Sequence, residues 1–223
     1  MAEQYSFPFG NENIYRVDDF IPSAENNEAY HFIYRWPDWG KQRYASVFLL
    51  YGPVGCGKTH LSHIWRSLSE AVFLTTEQLT EPKRNAVIIE DIDQWSYDEE
   101  MLLHFLNNAI EDKQYVLLTS AVPPAQLPFT LPDLTSRLRA VPSLAIAPPG
   151  SELLRLVLMK QFADRQLRVS NDVINYIITH SERSFTAIAE LVSAIDKKAM
   201  KDKRNITIPL LKELFDDIMQ GTK

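Results

Sequence analysis

Cysteine, glycine and long apolar runs are scarce in this sequence. Cys56 is the single cysteine among 223 residues, so no disulfide can form within the chain, which is typical of a reducing compartment. No apolar stretch is long enough to cross a bilayer, and the N-terminus lacks the pattern of a signal peptide. These absences predict a cytoplasmic protein that does not have a membrane as a partner.

Positive charge is scarce as well. Lys and Arg number 23 against 29 Asp and Glu, which gives a formal net charge of −6 at pH 7. A protein that binds nucleic acid strongly usually presents a basic face, so we expect no strong direct DNA binding. The hydrophobic fraction of 45% and the length suit a globular protein of one large domain or two small ones.

Three of the seven glycines lie in one loop. Gly52, Gly55 and Gly57 precede Lys58 and Thr59 in the pattern Gly-x-x-x-x-Gly-Lys-Thr. Glycines let successive backbone N–H groups approach phosphate oxygens, and the N-terminus of the following helix adds a favourable dipole. Lys58 can reach the terminal phosphates, and the Thr59 hydroxyl can ligate Mg²⁺. The loop predicts nucleotide binding in preference to a plain strand-to-helix turn.

Two acidic residues supply the second element that phosphate-loop proteins need. The apolar run Ala86–Ile89 is typical of a strand buried on both faces, and it ends in Glu90 and Asp91. Carboxylates at the end of a neighbouring strand hold Mg²⁺ and orient water. We favour this interpretation over a strand that merely ends in solvated acids.

Strand and helix patterns alternate along the first part of the chain, which predicts an α/β fold with a parallel sheet. The predicted strands are Val47–Tyr51, Ala71–Thr75, Ala86–Ile89, Tyr115–Thr119 and Leu144–Ile146. The predicted helices are Asn26–Trp36, Thr59–Ser69 and Glu99–Glu111, and Pro123–Pro132 is predicted to be a loop.

The segment Pro148–Gly150 marks a boundary, because only helical patterns follow it. The helices predicted beyond it are Leu153–Gln166, Ser170–His180, Thr186–Met200 and Pro209–Met219. We therefore predict a tail over residues 1–12, an α/β nucleotide-binding domain over 13–148 and a small helical lid domain over 149–223.

The pattern of residues leaves two alternatives open for Arg137, which follows the proline-rich loop. It is either a plain surface charge or a finger that reaches phosphates bound by a neighbouring molecule.

Six features occur together in this sequence: the phosphate loop with His60–Trp65, Arg35–Trp39, Leu131–Ala140, Phe162–Leu167, Glu182–Phe185 and Ile206–Pro209. In this combination they resemble the AAA+ family of the bacterial replication initiator DnaA, and more closely its short regulators of the Hda/HdaA type. The resemblance covers nearly the whole chain. It implies an AAA+ P-loop NTPase with a C-terminal all-helical lid, and ADP or ATP with Mg²⁺ as cofactors.

The resemblance also implies roles for individual residues. Glu90 and Asp91 match the acids that hold Mg²⁺ and activate water, and Arg137 matches the arginine finger, which in the regulators acts in trans on ATP bound to DnaA. Phe20 and Ile21 lie where the family lines its adenine pocket. The match implies that DnaA is a partner of this chain. A homodimer is a further expectation.

The N-terminal tail resembles the glutamine-led peptide by which such proteins bind the sliding clamp of the DNA polymerase. The matching residues are Gln4, Tyr5, Ser6, Phe7, Pro8 and Phe9. In such a peptide the glutamine hydrogen-bonds the rim of a pocket and the apolar side chains fill a groove. A floppy or self-packing tail is the alternative.

Three positions depart from the initiator pattern. The acids occur as Glu90-Asp91 in place of an Asp-led pair, and Ala121 stands where initiators usually carry an acid. Arg183 lies near the position of the lid arginine, but the register gives Thr186. These departures predict weak hydrolysis of the chain's own ATP and leave nucleotide binding intact.

We expect a regulator that docks on the clamp and stimulates hydrolysis of DnaA-bound ATP. The segment from Lys58 to Glu90 is shorter than in initiators, and the chain stops after the lid, which argues against a DNA-binding initiator. The alternative is a stand-alone AAA+ ATPase that loads or remodels a replication protein. A small-molecule kinase is less favoured, because the C-terminal arginines are scattered.

Overall fold

Five short strands form one parallel sheet in the part of the chain that the structure, a computed structural model, describes: residues 15–39, 46–75, 78–79, 84–94 and 98–221. They are β1 (Val47–Tyr51), β2 (Val72–Phe73), β3 (Ala86–Ile89), β4 (Tyr115–Ser120) and β5 (Ser143–Ala145). Their order across the sheet is β2-β3-β4-β1-β5, and every neighbouring pair is parallel. The predicted α/β class and parallel sheet are confirmed.

The strands are apolar because parallel sheets are covered on both faces. All four residues of β3 are buried, and so are four of the five in β1. In the register Leu49 of β1 lies opposite Leu118 of β4, and Ile89 of β3 lies opposite Leu118 from the other side. The carboxyl ends of β3 and β4 consequently lie side by side, which is where the acidic residues follow.

The chain divides into two compact units. The first contains the described residues up to Pro22, those of 27–51 and those of 58–145. The second contains residues 23–26, residues 52–57 and the described residues from Ile146 onward. The glycines of the phosphate loop thus belong to the second unit, whereas Lys58 and Thr59 belong to the first.

Helices α1 (Asn27–Tyr34), α2 (Lys58–Ser69), α3 (Glu99–Glu111) and α4 (Pro132–Ala140) belong to the first unit. The Asp98 side chain caps α3 by accepting the Glu100 N–H over 2.8 Å. Helix α4 was absent from the sequence-based assignment. Its nine residues bury only Leu134 and Leu138, so the pattern is too short to be distinguished from the preceding loop.

The second unit contains helices α5 (Ser151–Asp164), α6 (Asn171–His180), α7 (Phe185–Asp202) and α8 (Ile208–Gly221). Each was predicted to within two residues at both ends. Serine hydroxyls cap the N-termini of two of these helices. Ser170 accepts the Val173 N–H at the start of α6, and Ser184 accepts the Ala187 N–H at the start of α7.

Each unit has its own apolar core. In the first, side chains of α3 and α4 pack with those of β1, β3 and β4. In the second, all four helices contribute, and the fully buried side chains include Leu158, Ile177, Ile195 and Leu211. In the described ranges no helix has the length and apolar character needed to span a membrane.

Candidate nucleotide site

The loop glycines adopt backbone conformations that side chains rarely tolerate. Gly55 has φ +73° and Gly57 has φ +106°, both in the left-handed region. At Gly52 an added Cβ would collide with the backbone carbonyl oxygen of Ile146. The three predicted loop glycines are therefore required by geometry, which is the property that lets the loop's N–H groups turn toward a phosphate.

The loop is tied to the start of α7 within the second unit. The Phe185 N–H donates to the Gly55 carbonyl oxygen over 2.8 Å. A Cβ at Gly55 would lie 2.6 Å from the Ser184 Cβ and 3.4 Å from the Thr186 hydroxyl oxygen. Thr186 thus approaches the loop. Arg183, the predicted nucleotide contact, is exposed and directly precedes the cap of α7.

Lys58 and Thr59 begin α2, where the helix dipole favours an anion. Lys58 is only 6% exposed, which is unusual for a lysine and consistent with a charge directed at a phosphate site.

Glu90 directly follows β3 and lies close to the start of α2. Burial raises the pKa of its carboxyl above the ordinary value, and the hydroxyls of Thr59 and Ser62 together with the Lys58 ammonium partly offset that rise. Within the described chain, the buried Oε1 of Glu90 and the Ser62 hydroxyl lack a hydrogen bond of good geometry. The predicted Mg²⁺ pair, Thr59 and Glu90, is thus brought together with an unsatisfied carboxylate oxygen.

Asp91 follows Glu90 in a left-handed conformation, with φ 50°, and its side chain is exposed. Its backbone N–H donates to the Thr119 hydroxyl over 2.9 Å, which fastens the acidic segment to β4. Asp93 adds a second link, because its Oδ1 accepts the Ala121 N–H over 2.7 Å.

Sequence reasoning missed Thr119, Ser62 and Asp93 as parts of this site. Thr119 is fully buried near the end of an apolar strand. This polar residue in an otherwise apolar run is the sequence feature that could have identified it. Ser120, also fully buried, uses its hydroxyl locally, since it donates to the Val122 carbonyl over 2.8 Å. The Ser120 hydroxyl is therefore engaged by the end of its own strand.

The segment that carries Phe20 and Ile21 is held against α1 and α2 by aromatic contacts. The Phe20 ring stacks on Tyr30 with centroids 5.4 Å apart and meets the His60 ring edge-on at 5.2 Å. The His60 Nε2 lies 2.8 Å from the Arg16 carbonyl oxygen, and burial lowers the pKa of this histidine. Ile21 is half-buried. One face of Phe20 is thus already covered by Tyr30.

Arg137 lies on α4 between the buried residues Leu134 and Leu138. Its Nε is buried, and no hydrogen bond or ion pair of its guanidinium occurs among the described residues. Arg137 is not one of the groups that set the pKa of Glu90. Its charge is therefore not used by the part of this chain that the structure describes. The clamp-like residues Gln4–Phe9 lie outside the described residues.

Two family models match the chain, one in each half. Residues 11–81 match the bacterial DnaA ATPase domain, and residues 153–215 match the lid domain of Hda. The chain is also 24% identical to the chromosomal replication initiator protein DnaA of Aliarcobacter butzleri, over 94% of this chain and 53% of that protein. It spans about half the length of the initiator proteins that it matches.

Solved structures of initiators have the same fold. Domain III of the Thermotoga maritima replication initiation protein DnaA superposes with a TM-score of 0.77 at 16% identity, over 91% of this chain and 96% of that one. The AMPPCP-bound DnaA of Aquifex aeolicus gives 0.68 at 17% identity, over 84% and 66% of the two chains. These matches confirm the predicted resemblance and the AAA+ fold.

Proposed function

We propose that this chain, a DnaA-related AAA+ protein with an Hda-type lid, is a regulator that stimulates hydrolysis of ATP bound to DnaA. It does so in trans, while docked on the sliding clamp. The observation that carries the proposal is Arg137, whose guanidinium has no hydrogen bond or ion pair within the described chain.

Arg137 has the properties of a trans-acting finger. A guanidinium can stabilise the charge that develops on transferred phosphate oxygens when it is supplied by a neighbouring molecule. Leu134 and Leu138 anchor α4 in the core on either side of it, so the helix presents the arginine from a fixed support. An arginine needed only for stability would more often be paired with a carboxylate of its own chain.

The chain's own nucleotide has a structural role in this account. Gly52, Gly55, Gly57, Lys58 and Thr59 would bind the phosphates of ADP or ATP, and Thr59 with Glu90 would ligate Mg²⁺. The unsatisfied Oε1 of Glu90 and the glycine conformations fit that use, since Mg²⁺ is usually held by one or two carboxylates plus phosphate oxygens. The bound metal would neutralise phosphate charge. Phe20, Ile21 and Arg183 would complete the nucleotide contacts, and Asp91 would orient water.

In this proposal the N-terminal tail determines where the regulator acts. Gln4–Phe9 has the composition of a clamp-binding peptide, and docking there would bring the regulator to initiators on replicating DNA. The net charge of −6 supports recruitment through a protein in preference to direct DNA contact.

Substitution of Arg137 tests the proposal. Arg137→Ala should reduce the stimulated rate of conversion of DnaA-bound ATP to ADP by at least about a thousandfold, the lower end for loss of an arginine finger. The ADP affinity of the variant should stay at the wild-type value, and its melting temperature should not fall, because the substitution breaks no hydrogen bond among the described residues. The matched control is Arg139→Ala, which removes an exposed arginine of the same helix and should keep full stimulation.

The stand-alone ATPase remains the second candidate, because Lys58, Thr59 and Glu90 form an arrangement able to bind Mg²⁺ and nucleotide. It predicts steady ATP turnover by the chain alone that Lys58→Ala abolishes. The regulatory proposal predicts slow turnover by the chain alone and stimulation that depends on Arg137.

A further inference from the structure

The carboxylate of Glu99, at the start of α3, binds the segment that leads into α4. Its oxygens accept the Thr130 N–H over 2.9 Å, the Thr130 hydroxyl over 3.0 Å and the Leu131 N–H over 2.6 Å. These hydrogen bonds hold the pKa of Glu99 below its ordinary value. One carboxylate thus binds three donors from two adjacent residues.

Helix α4 needs such an anchor because its own start lacks one. Leu131 occupies the N-cap position, where no side chain accepts a hydrogen bond, and Pro132 follows as the first helical residue. The Thr135 hydroxyl holds the other side of the segment by donating to the Leu131 carbonyl over 3.0 Å. Glu99 is therefore the group from a separate helix that fixes where α4 begins.

The start of α4 determines the direction of Arg137. An α-helix turns about 100° per residue and rises about 1.5 Å, so Arg137 lies about 9 Å along the axis from Leu131. A shift of one residue in the register would rotate the guanidinium by more than a quarter of a turn. Leu134 and Leu138 are buried in the core, but a helix of nine residues is too short to hold its first turn unaided.

We propose that Glu99 is a positioning residue that fixes the register and first turn of α4 and thereby orients the trans-acting Arg137. This inference rests on the function proposed above, because orientation of Arg137 has a consequence only if Arg137 reaches a partner. A misplacement of about 1 Å in a catalytic group lowers a rate by about a hundredfold. Glu99 acts through Arg137 and does not itself contact the nucleotide.

The test combines a kinetic cycle with a structural measurement. Conversion of DnaA-bound ATP is measured at saturating chain, with clamp loaded on DNA, for the wild type, Glu99→Ala, Arg137→Ala and the double variant. We expect Glu99→Ala to lower the saturating rate by about tenfold to a hundredfold. The concentration of chain that gives half-maximal stimulation, and the affinity for ADP, should not change. The double variant should be no slower than Arg137→Ala.

Glu100→Ala is the matched control, because Glu100 neighbours Glu99 on α3 and its side chain is exposed. It should keep the wild-type rate. Glu99→Gln, which retains one acceptor oxygen, should give a rate between those of the wild type and Glu99→Ala. It replaces Glu99→Ala in the test if the alanine variant does not fold. The amides of residues 135–138 are the first of α4 to make helical hydrogen bonds, and their hydrogen exchange should be at least about tenfold faster in Glu99→Ala than in Glu100→Ala.

The outcomes separate the two proposals. If the wild-type chain does not accelerate hydrolysis, the proposed function is contradicted and this inference falls with it. If the wild type accelerates hydrolysis and Glu99→Ala does so equally, the inference alone is overturned. It is also overturned if the losses multiply in the double variant, or if the exchange of α4 is unchanged.

Discussion

Several described residues of the first unit have a buried side-chain nitrogen or oxygen without a hydrogen bond, and two of them, Glu90 and Arg137, belong to the predicted chemistry. Glu90 Oε1 and Arg137 Nε are buried without a hydrogen-bond partner in the described ranges. A buried polar atom without a partner costs stability, and for a charged side chain a partner or ligand that is bound in function would remove that cost. We propose that the Glu90 carboxylate serves the nucleotide and metal of this chain, and that the Arg137 guanidinium serves a nucleotide bound by a partner.

The stability of the apo protein should depend on pH through Glu90. Because burial raises the pKa of Glu90 in the folded protein, ionisation of this carboxyl destabilises the fold. The destabilisation is absent below the ordinary pKa of 4.5 and develops as the pH rises through it to the folded pKa. Glu90→Gln should therefore gain stability relative to the wild type as the pH rises from about 4 to 8.

Urea unfolding at several pH values measures this difference in the free energy of unfolding. Glu100→Gln, in an exposed position of α3, is the control for the removal of one carboxylate charge. A Glu90→Gln variant whose advantage stays flat or shrinks with rising pH would contradict the assignment of Glu90 as a desolvated carboxylate.

At the scale of secondary-structure elements, helix starts position candidate residues within each unit. Helix α2 begins at Lys58, α4 is anchored by Glu99, and α7 is capped by Ser184 beside Gly55. The ends of β3 and β4 are joined through the Thr119 hydroxyl, which accepts the Asp91 N–H. The proposed chemistry thus depends on how elements begin and end more than on their interiors.

The cap of α7 gives a prediction for one element. Ser184→Ala removes the hydroxyl that accepts the Ala187 N–H over 3.0 Å, and it should lower the free energy of unfolding by about 1 kcal/mol. Ser181→Ala is the control, because the buried Ser181 hydroxyl has no hydrogen bond within the described residues and its loss should be nearly neutral. Thermal unfolding measures both variants, and equal losses would contradict the capping role.

The sequence predicted most elements because their patterns are long or strongly apolar. The helices of the second unit carry several turns of buried positions, and β1, β3 and β4 are continuous apolar runs. Helix α4 was missed because nine residues with two buried leucines do not establish a period. Strand β5 was displaced by one residue, since a three-residue strand has no pattern that fixes its register.

The candidate site was predicted in its local parts and missed in its long-range ones. The loop and the acidic pair are contiguous motifs, so the residue types alone indicate their chemistry. Thr119 and Asp93 act through hydrogen bonds that join positions 28 residues apart, and Glu99 contacts a segment 31 residues away. The sequence pattern does not encode such pairs, which depend on the order of strands and helices in the fold.

At the scale of the whole molecule, two compact units with separate cores divide the motif residues between them. The second unit includes the loop residues 52–57 as well as the helices, and within it the Phe185 N–H donates to the Gly55 carbonyl oxygen. The first includes Lys58, Glu90 and Arg137. The division into units therefore does not separate Arg137 from Lys58 and Glu90; the proposal that Arg137 acts on the ATP of DnaA rests on its unpaired guanidinium.

The most direct test is a single-turnover measurement on the partner's nucleotide. Labelled ATP is bound to DnaA, unbound ATP is removed, and its conversion to ADP is followed with clamp loaded on DNA, in the presence and absence of this chain. The account predicts acceleration that requires both the clamp and Arg137 and that Arg139→Ala retains. An unchanged rate with the folded, ADP-bound chain, or equal acceleration by Arg137→Ala, would contradict it.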